Sequence, residues 1–394
     1  MNNLEFLGSE DVQQFMLENQ HSDLQKLLLN PPPQFKDQVK LIVGQILSRR
    51  KAKSKLPDWL DQPGVIFPPP LSLEQCSSPE TAEYKSQLMS GKMLVDLTGG
   101  MGVDTLAMSR EFDHTTYVEH SEWLCDVFRQ NHPLLGNGAI EVINASAEDY
   151  LSRFESRGHF FIDPARRDVS KKQVFHFENC SPNVLELLPL FQSKADLLLI
   201  KAAPMIDITL GLKQLQHVHQ IHVVSVKNEV KEVLFLLNFK EISEPLIKCV
   251  NLRSEHPALS FTLSGEKDLE VTFSSVKKYL YDPNSAILKA GAFKSLTSIY
   301  DVDKLAPNTH LYTSDQLIEG FPGRVFEVVA SDVGKKELGR HLPELKANVV
   351  NKNYPIKPEE LKKKLRLKDG GDWFVMGYRD LHEVPRIALS KRIR

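Results

Sequence analysis

The sequence lacks long apolar runs, clustered cysteines and internal repeats. No apolar run among its 394 residues approaches the ~18 that a membrane-spanning helix needs, and the opening MNNLEFLGSED lacks the basic and then hydrophobic regions of a signal peptide. Its four cysteines lie far apart with no C-x-x-C spacing, which argues against both a disulfide framework and a zinc site. These absences predict a cytoplasmic protein with no membrane partner, no bound metal and free thiols.

The length and the distribution of charge are more informative than the overall composition. A chain of 394 residues is too long for one ordinary core, so we expect about two or three domains. Residues 335–394 carry 16 Lys and Arg against eight Asp and Glu, although the whole chain has a net charge of −2. A basic end on an acidic body favours a polyanionic partner, and a solvated lysine-rich surface is the alternative. Ser48 to Lys55 has five cations in eight residues and could contact phosphates or end an exposed helix.

The most informative stretch runs from Met93 to Glu119. An apolar run ends at Asp96, a turn with three glycines opens onto an amphipathic segment, and a second β-type run ends at Glu119. The glycines are Gly99, Gly100 and Gly102, and the absence of a Cβ lets a ligand lie against the backbone. This pattern is typical of a strand-helix-strand unit in a parallel sheet, whose ligand lies at the carboxyl ends of the strands.

The turn fits a dinucleotide poorly, which leaves a dinucleotide or nucleotide-sugar enzyme as a weaker alternative. G-x-G-x-x-G fails at its last position, where Thr105 stands. Asp96 before the turn and Asp104 at its exit would repel phosphates but suit a cationic ligand. S-adenosylmethionine carries an ammonium and a sulfonium, and Glu119 would then accept hydrogen bonds from its ribose hydroxyls.

The order of motifs resembles a class I S-adenosylmethionine-dependent methyltransferase over residues 75–250. DLTGGMGVD (residues 96–104) is similar to the first motif, Glu119 to the acid of the second, VINASAED (residues 142–149) to the adenine loop, and FFIDPARRD (residues 160–168) to the fourth motif. The resemblance implies a Rossmann-like α/β fold with a seven-stranded, mostly parallel sheet. It also implies that the cofactor contacts are Asp96, Thr98, Gly99, Gly100, Gly102, Asp104, Glu119, Glu148 and Asp149. A helix cap would use Glu148 and Asp149 equally well.

The fourth motif supplies the candidate catalytic residues. An apolar strand ends at Asp163, and Pro164 fixes the backbone that follows. In methyltransferases of exocyclic amines, the analogous Asp-Pro-Pro-aromatic loop accepts the amine protons. Here Ala165 and Arg166 occupy the last two places, so no aromatic ring is available there to stack on a base. Arg166 could bind a phosphate, stack on a base or pair with Asp163.

Two further residues are candidates for a chemical role. Lys201 ends the next buried strand and could contact a substrate phosphate or form a surface salt bridge, and we include it among the catalytic candidates Asp163, Pro164 and Arg166. Cys180 could act as the nucleophile of a pyrimidine-carbon methylase, but its turn-like context 17 residues past Asp163 makes this the weaker alternative.

The C-terminal half resembles the THUMP-like, ferredoxin-like region of a bacterial group of RNA methyltransferases. The resemblance rests on FFIDPARRD, on KAAPMID (residues 201–207) and on the segments YLYDPNSAILKAGAF and HLYTSD. It implies an N-terminal helical domain (1–70), a methyltransferase domain (71–274), a ferredoxin-like element (275–318) and a THUMP-like RNA-binding domain (319–394). The candidate RNA contacts are Lys362, Lys363, Lys364 and Arg366. Within the core we expect a helix to begin near Glu229, and a hairpin over residues 259–273.

These observations predict an enzyme that methylates a nucleotide of structured RNA, transfer or ribosomal, at a base. Two alternatives stay open: a methyltransferase of a protein or small molecule, and a non-catalytic RNA-binding protein with a relic cofactor cleft. Three histidines at residues 217–222 lack an acid or cysteine at ligand spacing, so they do not indicate a metal site. The sequence leaves the oligomeric state open.

Overall fold

The computed structural model describes residues 3–136, 138–166, 177–342 and 344–393. The chain divides into two compact units. Unit one comprises Met1–His219 and Leu234–Ser243, and unit two comprises Gln220–Val233 and Glu244–Arg394. None of the helices in the described ranges combines the length and the apolar character that crossing a membrane requires.

Seventeen α-helices lie within the described residues: α1 Asn3–Gly8, α2 Glu10–Glu18, α3 Leu24–Leu29, α4 Val39–Lys55, α5 Pro57–Leu60, α6 Pro70–Gln75, α7 Pro79–Ser86, α8 Val103–Met108, α9 Glu122–Leu135, α10 Ala147–Arg153, α11 Val184–Lys194, α12 Ile208–Gln214, α13 Leu263–Asp268, α14 Ser285–Ala290, α15 Ser295–Tyr300, α16 Lys335–His341 and α17 Pro358–Leu365. Short 3-10 helices cover Pro33–Phe35, Ser109–Glu111 and Phe177–Asn179.

Eighteen strands lie in the same ranges: β1 Gly91–Asp96, β2 Phe112–Glu119, β3 Ile140–Asn144, β4 Gly158–Ile162, β5 Ala165–Arg166, β6 Cys180–Ser181, β7 Ala195–Ala202, β8 Val218–Val226, β9 Glu229–Asn238, β10 Leu246–Leu252, β11 Leu259–Thr262, β12 Tyr279–Pro283, β13 Asp303–Ala306, β14 Thr309–Ser314, β15 Gly323–Ala330, β16 Asn348–Lys352, β17 Trp373–Arg379 and β18 Pro385–Arg392.

Unit one is built on a parallel sheet. Strands β3, β2, β1, β4 and β7 lie in that order, and each runs parallel to its neighbour. Asp96 pairs with Tyr117 on β2 and with Phe161 on β4. Glu119 and Asp163 each lie two residues beyond those partners, so three carboxylates reach the same edge of the sheet. The end of β9 completes the sheet of this unit beside β7.

The N-terminal helices of unit one share their cores with the helices around the glycine turn. One apolar cluster joins Ile42 and Ile46 of α4 to Val127 of α9, and a second joins Ala52 of α4 to Val103 of α8. Buried polar contacts add to this packing, because the Asn131 side chain exchanges hydrogen bonds of 2.7 and 2.9 Å with the backbone of Ile66. These helices are therefore packed against the elements that carry the turn.

Unit two contains two groups of strands. The first joins β8 to β10 in parallel and β10 to β11 in antiparallel pairing. The second is a seven-stranded sheet with the order β13-β14-β12-β15-β18-β17-β16, in which the recorded pairings are antiparallel except between β16 and β17. Helix α17 packs on β16, and its Leu361 and Leu365 lie in the apolar cluster that also contains Val375 of β17.

The structure corrects two expectations about the sheet. The predicted helix near Glu229 is the strand β9, because residues 233–237 form an unbroken buried run that suits a central strand. The predicted hairpin is also wrong: β11 ends at Thr262, and the next residues form α13, capped by the Thr262 hydroxyl. The methyltransferase sheet has nine strands instead of seven, since β10 and β11 extend the order β3-β2-β1-β4-β7-β9-β8 beyond β8.

Candidate active site

The glycine turn follows β1 and is shaped by aromatic rings beneath it. A Cβ at Gly99 would lie 2.1 Å from the ring of Tyr117, and a Cβ at Gly102 would lie 2.1 Å from the ring of Phe128. Gly102 also has φ of +78°, a conformation that favours glycine. The two rings stack at 4.1 Å between centroids. Glycine is therefore required at these two positions by close packing of the turn itself.

Glu119, at the tip of β2, is bound to the turn. Its Oε2 accepts a hydrogen bond of 3.0 Å from the Gly100 amide, and its Oε1 accepts one of 2.9 Å from the Ser121 amide. Tyr117 adds a second tie, because its hydroxyl donates to the Gly100 carbonyl at 2.6 Å. The Glu119 carboxylate is buried, and the solvent-exposed ring of His120 lies 2.8 Å from its Oε1. A carboxylate has about four acceptor sites, so the two backbone amides leave it spare acceptor capacity.

Asp96, at the end of β1, is buried and accepts hydrogen bonds from the residues of the turn that follows. Its carboxylate accepts from the Thr98 amide at 3.0 Å and from the Thr105 hydroxyl at 2.5 Å. Thr105, the residue that breaks the dinucleotide pattern, thus has a structural role in this turn. Burial raises the pKa of Asp96 to about 7, although the hydrogen bonds from Thr105 and Thr98 oppose that rise.

Asp163 lies beyond the end of β4, next to the turn. Its amide donates to the Thr98 hydroxyl at 2.7 Å, which ties the fourth motif to the first. Its carboxylate, 37% exposed, contacts the Lys201 ammonium at 2.5 Å. Pro164 is buried behind it. The structure therefore brings together three of the predicted residues: Thr98, Asp163 and Lys201.

Lys201 also contacts a second carboxylate. Its ammonium lies 3.7 Å from Asp104, and Asp104 lies 3.1 Å from the ammonium of Lys85, whose side chain is wholly buried on α7. The Ser77 hydroxyl contacts both members of the Asp104–Lys85 pair. It donates a hydrogen bond to Asp104 at 2.7 Å and accepts one from Lys85 at 3.1 Å. We call Asp163, Lys201, Asp104 and Lys85 the charge chain.

The charge chain determines the electrostatics of Asp104. Burial alone would raise its pKa, but Lys85, Lys201 and the Ser77 hydroxyl outweigh burial and hold the pKa below its usual range. Neither Lys85 nor Ser77 is among the site residues predicted from the sequence, and Ser77 is not the cap of α7 although it lies just before that helix. Ser78 caps α7 instead, accepting from the Thr81 amide, while Ser77 faces Asp104.

Other predicted residues lie on the helix after β3 or outside the residues that the structure describes. Glu148 and Asp149 are exposed in the first turn of α10, and the Asp149 amide donates to the capping Ser146 hydroxyl at 3.0 Å. Asp149 also lines an open cavity of about 470 Å³ with Asn144 and Ala145. The side chain of Arg166 and residues 167–176, which include Asp168 of the fourth motif, lie outside what the structure describes. Cys180 is buried in β6, whose partner strand β5 follows Pro164.

The two basic segments differ in how many of their side chains already form hydrogen bonds or ion pairs. In the run at residues 48–55, Arg49 is buried and donates to the Val65 carbonyl, Arg50 donates to two backbone carbonyls, and Lys51 and Lys55 contact Glu74. On α17, Lys362 pairs with Asp369, whereas three cations around the helix end are exposed: Lys363, Lys364 and Arg366. The first segment serves mainly to hold the fold, and the second presents charge to solvent.

The strand order and the turn together are those of a class I methyltransferase: β1 lies at the middle of the parallel order β3-β2-β1-β4-β7, and β9 lies between β7 and β8. The residues also fit S-adenosylmethionine. The backbone at Gly100 is open, since a Cβ there would meet only the Thr98 carbonyl at 3.7 Å among the described atoms, and an acid with spare acceptor capacity lies at the neighbouring strand tip.

Known proteins of similar sequence and structure agree with this class. The crystal structure of a candidate methyltransferase from Porphyromonas gingivalis W83 is 30% identical, with a TM-score of 0.88 over 98% of this chain and 98% of its own. An uncharacterised S-adenosylmethionine-dependent methyltransferase of Mycobacterium tuberculosis, in strains CDC 1551 and H37Rv, is 24% identical over 346 residues, covering 85% of this chain and 91% of its own. Family models match a ferredoxin-like domain at residues 279–322 and a THUMP domain-like region at residues 323–392.

The chain belongs to this family of S-adenosylmethionine-dependent methyltransferases with ferredoxin-like and THUMP-like C-terminal regions. The predicted enzyme class, fold class and cofactor are thereby confirmed. Among the described residues, no group of three or more His, Cys, Asp and Glu side chains is arranged to hold a metal ion.

Proposed function

We propose that this methyltransferase modifies a base in structured RNA, either transfer or ribosomal. The observation that carries the proposal is the exposed cation group Lys363, Lys364 and Arg366, which lies inside the THUMP-like match. Exposed cations grouped at one helix end suit the phosphates of a nucleic acid, which supply most of the sequence-independent binding energy. The proposal goes with a cytoplasmic location, where both RNA classes are found.

The residues at the sheet edge have distinct roles in this proposal. When bound, the cofactor supplies an electrophilic methyl group on a sulfonium, whose departure as a neutral thioether needs no acid. Glu119 and the Gly100 backbone would hold the cofactor, with Asp96 and Thr98 keeping the turn in shape. Methyl transfer then depends mainly on alignment of the nucleophile.

Asp163 is the group best placed to align that nucleophile. Its carboxylate is partly exposed, in contrast to the buried Asp96 and Asp104, and it can accept a hydrogen from an incoming N–H or O–H. Lys201 fixes the direction of the carboxylate through the 2.5 Å contact. Arg166 follows two residues after Pro164, and we propose that it contacts the RNA, by its base or its phosphate.

The test measures transfer of label from tritiated S-adenosylmethionine to total RNA from a strain that lacks the enzyme, with transfer and ribosomal fractions counted separately. We expect label in one fraction, and a loss of about 100-fold or more in Asp163→Asn, because a positioned acceptor contributes at least that much. Cofactor binding by calorimetry should be retained in this variant. Asp113→Asn, at an exposed position near the start of β2, is the matched control and should keep full activity.

Two outcomes would contradict the proposal. Absence of label in every RNA fraction, with cofactor binding intact, would move the substrate to a protein, a small molecule or an assembled ribonucleoprotein. Label that survives in Asp163→Asn would remove Asp163 from the reaction while leaving the RNA substrate in place.

A further inference from the structure

Unit two contains a cleft of about 720 Å³, a size within the usual range of ligand pockets. Its walls come from the β8–β9 turn, the loop after β10, and the ends of β12, β15 and β18. None of the residues that line it belongs to the methyl-transfer site described above. We call it the basic cleft, because its lining is rich in cations: Lys227, Arg253, Arg324, Arg392 and the titratable His256.

The acids of the basic cleft only partly offset these cations. Of its two acidic lining residues, Glu255 is exposed, whereas Asp282 is 2% exposed and already neutralised by two partners. The Lys352 ammonium lies 2.5 Å from one Asp282 oxygen, and the Arg324 guanidinium binds the other. The lining therefore has four Lys and Arg side chains against two acids, and Lys227, Arg253 and Arg392 are exposed.

The backbone at the rim is held in an uncommon conformation. Three of the lining residues have positive φ without being glycine: Lys227 at 50°, Asn228 at 65° and Arg253 at 59°. Lys227 and Asn228 are the two residues of the β8–β9 turn, and a two-residue hairpin turn of type I′ requires positive φ at both. The turn therefore gives Lys227 a defined backbone conformation at the cleft.

An asparagine network keeps the rim in that conformation. Asn251 Oδ1 accepts from the Asn228 amide at 3.0 Å and from the Ser225 hydroxyl at 3.0 Å. Asn228 Oδ1 in turn accepts from the Ser285 amide at 2.7 Å, which joins the β8–β9 turn to the start of α14. Lys227 therefore projects from a backbone that is fixed by hydrogen bonds, which lowers the entropy lost when a ligand is bound.

We propose that the basic cleft binds the phosphodiester backbone of the RNA substrate. This inference rests on the proposed function and specifies a binding surface for it. The exposed cations come from three separate chain segments, an arrangement that suits successive phosphates along a strand better than one terminal phosphate. The amides of Asn228, Asn251 and Asn284 line the same cleft and can donate to phosphate or ribose oxygens.

The test compares Lys227→Gln/Arg253→Gln with Lys36→Gln/Lys40→Gln, a double variant of exposed lysines in unit one that removes the same charge. The probe is a fluorescein-labelled uridine decanucleotide, and its affinity is measured by anisotropy between 0.05 and 0.3 M salt. Each lost contact to a single strand lowers the salt slope by about 0.7. We therefore expect the cleft variant to have a slope smaller by about 1.4 and an affinity about 25-fold lower at 0.1 M salt. The control should match the wild-type protein.

The outcomes separate this inference from the proposed function. If the wild-type enzyme methylates RNA but the two double variants bind the decanucleotide equally, the cleft inference fails and the proposed function stands. If uridine monophosphate or inorganic phosphate binds the cleft stoichiometrically and displaces the decanucleotide completely, the ligand is a small phosphorylated molecule and the inference is overturned. Loss of binding in the cleft variant alone, with cofactor affinity unchanged, supports it.

Discussion

The buried ammonium of Lys85 provides the sharpest test of the charge chain. Its side chain has no exposed surface and lies 3.1 Å from Asp104 and 3.1 Å from the Ser77 hydroxyl. Lys85→Met keeps the length of the side chain but removes the charge. Among the described residues, Asp104 then keeps the Ser77 hydroxyl at 2.7 Å and the Lys201 ammonium at 3.7 Å, and the second distance is too long for a hydrogen bond.

Removing one partner of a buried ion pair lowers the free energy of unfolding by about 3–5 kcal/mol, because the remaining charge stays buried without compensation. A change of that size should lower the melting temperature of unit one by about 6–20 °C. Lys85→Met/Asp104→Asn should recover most of the loss, since removing both charges leaves no uncompensated ion. The recovery therefore distinguishes the ion pair from a simple loss of packing.

The loss of stability in Lys85→Met should also depend on pH. In the wild-type protein the pKa of Asp104 is depressed, so the stability it contributes is present above its unfolded pKa of about 4 and is lost only as pH falls through the folded value. Without Lys85, burial raises the pKa of Asp104, and its ionised form then destabilises the protein at neutral pH. The difference between wild type and Lys85→Met should be largest near pH 8 and should shrink towards pH 5.

Thermal and urea unfolding at both pH values are the measurements, with exposed Lys92→Met at the start of β1 as the matched control. The control should lie within about 0.5 kcal/mol of wild type. The reasoning is refuted if Lys85→Met behaves like the control, if its loss is equal at pH 5 and pH 8, or if the double variant is no more stable than the single one.

Two further predictions concern the turn. Asp96→Asn should become more stable relative to wild type by about 2–3 kcal/mol as pH rises from 5 to 8. The folded pKa of Asp96 is raised from 3.8 to about 7, so its ionisation in this range opposes folding. A pH-independent difference in urea unfolding would contradict this. Gly99→Ala should weaken cofactor binding about tenfold or more by calorimetry, since its Cβ overlaps the Tyr117 ring, while Gly138→Ala, whose Cβ meets no described atom within 4 Å, should bind normally. Equal affinities would show that the turn relaxes freely.

The sequence predicted the parts of the site that depend on local order. The apolar run before Asp96, the three glycines and the acid at Glu119 lie within one strand-helix-strand unit, whose parallel pairing places Glu119 beside Gly100. Asp163 joins them because β4 is the other neighbour of β1. These features can be predicted from the sequence because the spacing of apolar side chains locates the strands. The carboxyl ends of parallel strands then lie together at one edge of the sheet.

Lys85 could not be predicted in this way. It lies on a short helix without a clear apolar face, and a lone lysine there is typically exposed. Its burial depends on Asp104, 19 residues further along the chain on α8, and on the packing of α7 against α8. Strand β9 was mistaken for a helix for a similar reason, because its polar start resembles a first helical turn and its burial depends on non-local neighbours.

The division of the chain within the β8–β9 segment affects how the protein can be synthesised and shortened. Residues 234–243 return to unit one after residues 220–233 have contributed to unit two, so neither unit is a single uninterrupted stretch. A ribosome must therefore release the chain to about residue 243 before the first unit can close. No single cut yields both units intact: a product ending at residue 219 lacks the end of β9 that completes the sheet of unit one, and one beginning at residue 244 lacks the strand segment on which β10 pairs.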